Sequence, residues 1–535
     1  LYACFVDFNR AFDSVSHHHL FYKLKCIGVG TKFYDIIKCM YENTETCVKI
    51  DQHRTNLFKS NIGVRQGDNL SPCLFNIYLN DLPTYFDQTC DPIPLNTHPL
   101  NILMYADDVV LLSSSEQGLQ NCVNKLNKFT VDYKMTVNTK KTKVLVFNKS
   151  GRLKNIKISL GNQTLECVQN YTYLGINFSS SGSFQIAKKE LYNKGMKAYF
   201  KLRKTFSVES PKPSTLLHIY NHTIRPILLY GSEIWGYIPH KKQIHLDNFI
   251  SKETDYLVLE KIHTKLCKFS LGVNIKTSNM ACRGELGSLP TLYYVIMNMV
   301  KYWIHLMKDI EPSNIILREA INLSHSMDKH NQESWIGSIK HIFKFLDLEY
   351  LFVNQSNFKQ NHILKKVKTS LTIKFKESWL ASLESNSGKC TNLQSGNKLR
   401  TYRKFKNIFM FEPYLKMNSK KDRQIITRFR TSCHDLEIER GRYIGIKAED
   451  RKCKLCKNAV EDELHFLLKC PVLKDTRSQH LSNLNSKFKN FSRLSDEMKF
   501  VWILSSEDLF VTSNLSNLLH SLFEERKKII ENIVV

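Results

Sequence analysis

No stretch of this sequence approaches the ~18 uninterrupted apolar residues that a membrane-crossing helix needs. The longest, "LYYVIMNMVKYW", is broken by Asn298 and Lys301, so no membrane partner is expected. The N-terminus lacks a secretory pattern and opens on Leu1 rather than Met, which marks the chain as a piece of a longer product. Pairing rhythm is absent among its 15 cysteines, an odd number. That argues against a disulfide framework and for a reducing compartment. Acidic residues are scarce, 50 against 77 Lys and Arg, leaving a net charge of +27. Such an excess calls for a polyanionic partner, and without a membrane-inserting segment that partner is nucleic acid. What is present, 42% hydrophobic and 24% charged residues over 535 positions, describes a globular chain of about three or four domains.

The run "NILMYADDVVLL" places Asp107 and Asp108 between two apolar, β-favouring segments, which reads as a hairpin with carboxylates at its tip. Two unit charges ~4 Å apart repel by roughly 4 kcal/mol at an effective dielectric of 20. Either the pair is a solvated turn or it binds cations. A third acid, Asp7, ends the buried-strand pattern "YACFV" just before a strand-to-helix change at Ala11, Val15 and Leu20, with Ser16 as N-cap. If Asp7 lies beside the hairpin, the cluster requires hard cations, and Mg²⁺ suits carboxylate and phosphate oxygens. Two such ions ~3.5–4 Å apart can hold the attacking and leaving oxygens of a phosphoryl transfer.

"FVDFNRAFD", "GVRQGDNLSP" and "YADD", in that order, followed by "VNTKKTK" and "YTYLG", resemble motifs A to E of a reverse transcriptase. The flavour is that of non-LTR (LINE-type) retrotransposons, and "RPILLYGSEIWG" also resembles a segment recurring in these elements. The resemblance is dense to about residue 180 and looser afterwards. It implies an α+β fold: a polymerase palm (antiparallel sheet with helices, 1–180), a helical thumb (181–270), a mostly helical region (271–440), a small zinc-binding module (441–475) and a helical tail (476–535).

Carried over by position, the resemblance makes Asp7, Asp107 and Asp108 the ligands of two catalytic Mg²⁺, joined by the backbone carbonyl of Phe8. Phe12 falls at the steric gate against a 2′-hydroxyl; ordinary core packing is the competing reading. Gln66 and Gly67 lie near the incoming nucleotide and template, with Pro72 in the first turn of the following helix. Tyr105 belongs to the same substrate-binding set. Lys141 matches a lysine proposed to assist the leaving pyrophosphate; a solvated basic loop explains it equally. Between these motifs, Leu119, Val123, Leu126 and Tyr133 have helical spacing, capped within Ser114–Gln117. Tyr173, Leu174 and Gly175 form a hairpin that would grip the primer end, and "IAKKELYNKGMKAYFKLRKTF" would carry a basic face along the duplex.

Cys453, Cys456, His465 and Cys470, spaced C-x2-C-x8-H-x4-C, supply the four ligands of a closed structural Zn²⁺ site. The metal would hold together a module too poor in apolar residues to fold unaided. The "HHH" at 17–19 reads as surface, and Leu518, Leu522, Ile529 and Ile533 read as a packing stripe. The expected function is RNA-directed DNA synthesis, with RNA template, DNA primer, target DNA and dNTPs as partners. The expected location is intracellular, in nucleus or cytoplasm as a ribonucleoprotein. The alternatives are a noncatalytic nucleic-acid-binding remnant and an RNA-templated RNA polymerase, which Phe12 opposes. With six residues before Asp7, the family's fingers are expected to be missing from this chain, and poor polymerisation by it alone is expected.

Overall fold

The computed structural model describes residues 1–42, 44–95, 98–206, 211–237, 258–308, 314–384 and 399–534. It is a mixed α/β chain with no described helix long and apolar enough to cross a membrane. It divides into two units: Leu1–Ala187 with Ile310–His330, and Lys188–Asp309 with Asn331–Val535.

The first unit is built on a five-stranded sheet. Its strands are β1 (Tyr2–Val6), β2 (Ile102–Tyr105), β3 (Asp108–Ser113), β4 (Lys143–Val146) and β5 (Glu166–Cys167), ordered β5-β4-β1-β3-β2. Every pairing is antiparallel except the outermost, β5 with β4, which corrects the expectation of a wholly antiparallel sheet. β5 is only two residues long, and it reaches β4 after a separate small ladder at Ser159–Thr164, so the chain re-enters in the same direction.

Alternation along β1 decides which face does what. Cys4, Val6 and Phe8 face a large core shared with the helices α1 (His17–Cys26), α2 (Thr31–Glu42), α3 (Ser71–Leu79) and α4 (Glu116–Asp132). Ala3 and Phe5 face the other way, in a smaller cluster with Val110, Leu112 and Leu145. That cluster is covered by the hairpin of β6 (Asn170–Tyr173) and β7 (Ile176–Ser179), whose Tyr171 stacks on Phe5 at 4.3 Å. The hairpin turn, Leu174 and Gly175, has φ of 47° and 77°, the two-residue type I′ signature that matches strand twist.

Local expectations are adjusted in three places. Phe12–Ser14 is a 3-10 turn and α1 begins only at His17. Ser16 stands at its N-cap position but makes no cap bond; its hydroxyl meets His19 Nδ1 at 3.1 Å instead. The cap of α4 is Ser115, accepting from Gly118 N at 2.9 Å, one residue along from the expected Ser114.

The second unit is helical, as the periodicity over 271–440 predicts, with helices including Thr291–Lys308, Trp335–Phe345, Gln360–Glu384 and Lys420–Arg430. Its largest core runs from Cys267 to Leu522 and includes Phe466, Leu467 and Leu468 beside the cysteine-histidine motif. Leu518 and Leu522 of the helix Leu509–Val534 are fully buried there. The side chain of Ile533, last in the expected stripe, lies outside the described residues, as do parts of the 181–270 and 271–440 regions.

Candidate active site

Val6 pairs with Val109 at the end of the β1–β3 ladder, and the residues that follow in that register are Asp7 and Asp108. Opposed residues of an antiparallel pair have Cβ atoms about 4.5–5.5 Å apart. By parity both side chains share the face of Phe5 and Val110, beside Tyr171 and Tyr173. Asp107 completes the group from the turn joining β2 to β3, where Tyr105 pairs with Asp108. Ala106 holds φ 51° in that turn, a conformation in which a Cβ is disfavoured. Here strain serves to aim a carboxylate.

The electrostatics agree with this placement. Burial, and then the charges of Asp107 and Asp7, push the Asp108 carboxyl above its ordinary value. Tyr171 is raised too, by burial and then by Asp7 and Asp108. Asp108, with the charges of Asp107 and Asp7 acting on it, belongs to a donor set that a divalent cation would relieve.

The loop after α4 straps onto Asp7 through its backbone. Asn138 N donates to Asp7 O at 2.7 Å, and Asp7 N donates to Thr142 Oγ1 at 3.1 Å. This brings Lys141 Nζ to 3.9 Å from Asp7 Oδ2, with the lysine 71% exposed. Phe8 is buried and bridges to Val137. Phe12 stacks on Phe75 of α3 at 4.4 Å, which is the packing contact of the competing reading. Tyr105 is 68% exposed and lies outside the core.

Gln66 Nε2 donates to Asp13 Oδ1 at 3.1 Å, and Gly67 holds φ 86° four residues before the start of α3. The Asp13 contact was not foreseeable, since no periodicity links residues 13 and 66. The histidine run is not simply surface: His17 Nε2 lies 2.7 Å from Gly63 O, and its ring meets Tyr41 edge-on at 5.2 Å.

In the second unit, Cys453, Cys456, His465 and Cys470 bring four ligand atoms within 4.8 Å of one another. Cys453 and Cys470 sulfurs are 4.0 Å apart, and Cys456 Sγ is 3.4 Å from His465 Nε2. A tetrahedral Zn²⁺ with sulfur bonds of about 2.3 Å has edges of about 3.8 Å, so the residues fit that ion. His465–Lys469 is a π-helical turn, and Cys470 N donates to His465 O at 2.7 Å. The i, i+5 spacing of His465 and Cys470 corresponds to one such turn, where an α-helix would set them apart. Backbone N–H groups reach each cysteine sulfur: from Leu455 and Cys456, from Asn458 and Ala459, and from Val472 and Leu473. Such donors favour thiolate. Burial still lifts the Cys453 thiol to about 12.

This site is no separate module, contrary to expectation. Phe466 packs on Phe523 at 4.6 Å. Arg526 of the same C-terminal helix pairs with the fully buried Glu461 at 2.7 Å, and Glu461 lies 3.7 Å from Cys453 Sγ.

Against this geometry, comparison with known proteins is decisive for the first unit. The family described as "Reverse transcriptase (RNA-dependent DNA polymerase)" matches residues 1–178. Residues 1–178 are a reverse transcriptase domain, of the non-LTR kind. Curated relatives include the Pol polyprotein of the type-1 retrotransposable element R2 of Nasonia vitripennis, 28% identical over 35% of this chain. The RNA-directed DNA polymerases of mobile element jockey and of transposon BS, both from Drosophila melanogaster, are 26% and 28% identical over 43% and 44% of it. The matches span 19%, 25% and 26% of those relatives. A solved telomerase from Candida Tropicalis with an RNA fragment covers 59% of this chain and 48% of its own, at 14% identity and a TM-score of 0.27, too low to carry an argument. The carboxylates of Asp7, Asp107 and Asp108 thus lie within the matched residues, at the ends of β1 and β3 and in the turn before β3.

Proposed function

We propose that the chain is the polymerase core of a non-LTR retrotransposon product, catalysing RNA-directed DNA synthesis. The observation that carries it is that the charges of Asp107 and Asp7 both act on Asp108 at the end of the β1–β3 ladder, inside a domain of matching family. In this reading residues 1–180 are the palm, 181–270 the thumb, and 271–535 a helical region holding a zinc site and a tail.

Asp7, Asp107 and Asp108 would hold two Mg²⁺, with the Phe8 carbonyl as a further ligand. When bound, such ions activate a primer 3′-hydroxyl and stabilise the departing pyrophosphate. The protein's own residues do the rest. Lys141, already beside Asp7, offers a cation and a proton donor toward the leaving group. Phe12, braced by Phe75, excludes a 2′-hydroxyl from the incoming sugar. Gln66, tethered by Asp13, and Gly67 border the nucleotide and template, with Tyr105 at the strand end. The β6–β7 hairpin supports the primer terminus. Cys453, Cys456, His465 and Cys470 would hold one structural Zn²⁺. RNA template, DNA primer, target DNA and dNTPs are the proposed partners, inside the cell as a ribonucleoprotein.

The test is primer extension on a homopolymeric RNA template with Mg²⁺ or Mn²⁺, with a fingers segment added if the chain alone is silent. Extension that disappears in Asp108→Asn supports the reading. Extension that survives Asp108→Asn refutes it.

A further inference from the structure

The ligand set Cys453, Cys456, His465 and Cys470 raises a charge problem that the four ligands alone do not solve. Three cysteine thiolates, one neutral imidazole and one Zn²⁺ leave a single negative charge on the site. Glu461 adds a second, for it is fully buried and its Oε1 lies 3.7 Å from Cys453 Sγ. That carboxylate has a backbone to serve: its Oε2 accepts Glu437 N at 2.8 Å, at the start of the helix Glu437–Tyr443. Unbalanced charge in a buried site is costly, and an anion beside a sulfur works against the thiolate.

Two arginines, each 7% exposed, meet this charge from helices that lie beyond the ligand segment. Arg477, on the helix Lys474–Lys487, donates from Nε to Leu467 O at 2.8 Å and from Nη2 to Cys470 O at 2.9 Å. Arg526, on the helix Leu509–Val534, grips Glu461 with both arms, Nε to Oε1 at 2.8 Å and Nη2 to Oε2 at 2.7 Å. Each guanidinium also feels a different sulfur, Arg477 that of Cys470 and Arg526 that of Cys453. Arg451, buried as well, turns instead to Ile438 O and Ile446 O. The other charges nearby, on Glu437, Lys454, Asp462, Lys469 and Asp496, belong to half-buried or exposed residues, where water screens them.

We infer that Arg477 and Arg526 are the charge-balancing partners of this metal site and set its affinity for Zn²⁺ without touching the ion. Their two positive charges cancel those left by the liganded metal and by Glu461. Tight capture of the metal therefore needs both later helices in place. The inference rests on the zinc assignment of the four ligands and is independent of the polymerase reading.

The test titrates Zn²⁺ into the full 535-residue chain against a chromophoric chelator, with Co²⁺ absorption as a second readout. Charge and hydrogen bonding separate at Arg477. Arg477→Gln keeps a donor for a carbonyl but no charge, and should weaken Zn²⁺ binding by about tenfold or more. Arg477→Lys keeps the charge and should recover most of that loss. In the Co²⁺ form, the sulfur-to-metal charge-transfer band should shift in Arg477→Gln and stay in place in Arg477→Lys. Glu461→Gln should tighten binding, because it removes an anion beside Cys453, whereas a carboxylate that only holds structure would give the opposite sign. Should Glu461→Gln melt early, the two Arg477 variants decide alone. Equal losses in Arg477→Gln and Arg477→Lys, or weaker binding by a folded Glu461→Gln, overturn the inference and leave the zinc site standing. A wild-type chain that binds no Zn²⁺ overturns both.

Discussion

The charge of Asp7 reaches Asp108 just past the Val6–Val109 pair that ends the β1–β3 ladder. Two carboxylates in that relation are a liability unless something positive comes between them, and the pH behaviour of the metal-free chain should expose it. The Asp108 carboxyl is raised by burial, then by Asp107 and Asp7. The folded chain therefore holds a proton there at pH values where the unfolded chain has lost it. Stability falls as pH rises from the ordinary carboxylate value through the folded one, and the loss is complete above both. In EDTA at pH 7, Asp108→Asn should raise Tm slightly, on the order of 1 °C, and below about pH 3.8 the gain should vanish. With Mn²⁺ present the order should reverse. Scanning calorimetry at both pH values decides the matter, and a wild type that outmelts the variant in EDTA would contradict the repulsion.

Phe12 packs on Phe75, and the proposed function adds sugar selection to that contact. Losing its stack on Phe75 should cost about 1–3 kcal/mol in Phe12→Ala, seen as a lower Tm. Ribonucleotide incorporation relative to deoxyribonucleotide should rise by at least tenfold if the ring is a gate. Phe75→Leu, which leaves Phe12 in place but removes its brace, should give a smaller relaxation. Unchanged sugar selection in Phe12→Ala would leave only the packing role.

Two glycines near the site differ in what a methyl would meet. Gly67, at φ 86°, has open space where a Cβ would go, whereas at Gly63, φ 89°, that atom would come within 3.0 Å of the Asp13 backbone. Gly67→Ala should cost about 1 kcal/mol of conformational energy. Gly63→Ala adds a clash and should cost about 2–3 kcal/mol, shifting Asp13 and loosening its hold on Gln66. Thermal melts rank the two, and equal losses would count against the clash.

The cysteine-histidine site is tied to the C-terminal helix through Arg526 and Glu461. Removing the arginine leaves a fully buried carboxylate unpaired, so Arg526→Met should destabilise the second unit by about 3–5 kcal/mol. Zinc chelation should likewise deprotect amides of Leu509–Val534, not only those of 453–470, in hydrogen exchange. Deprotection confined to the ligand segment would show that the site stands alone.

The carboxylate face was legible because strand alternation and turn chemistry are local. Apolar "CFV" before Asp7 and "VVLL" after Asp108 fix which way each acid points once the strands pair. Leu174–Gly175 and the helix start at Ser71–Pro72 were readable for the same reason. What escaped depends on contacts between distant segments. A cavity beside Asp13 joins residues near 10, 41, 63 and 136, none of which follows a common period. The zinc site looked self-contained because its core partners lie some fifty residues later, at Phe523 and Arg526. The parallel edge strand was hidden by its length of two residues.

β1 is five residues long and carries oil on both sides. A single-residue slip, from a deletion within it or from a neighbour that no longer fits, would turn Asp7 inward against the helices and present Val6 or Phe8 to the groove. No partial version of that error exists, since a side chain on a pleated ribbon has only two directions to choose from. The greasy interior therefore indexes the carboxylates, and a methyl group lost from Leu145 or Val110 loosens the packing that aims them.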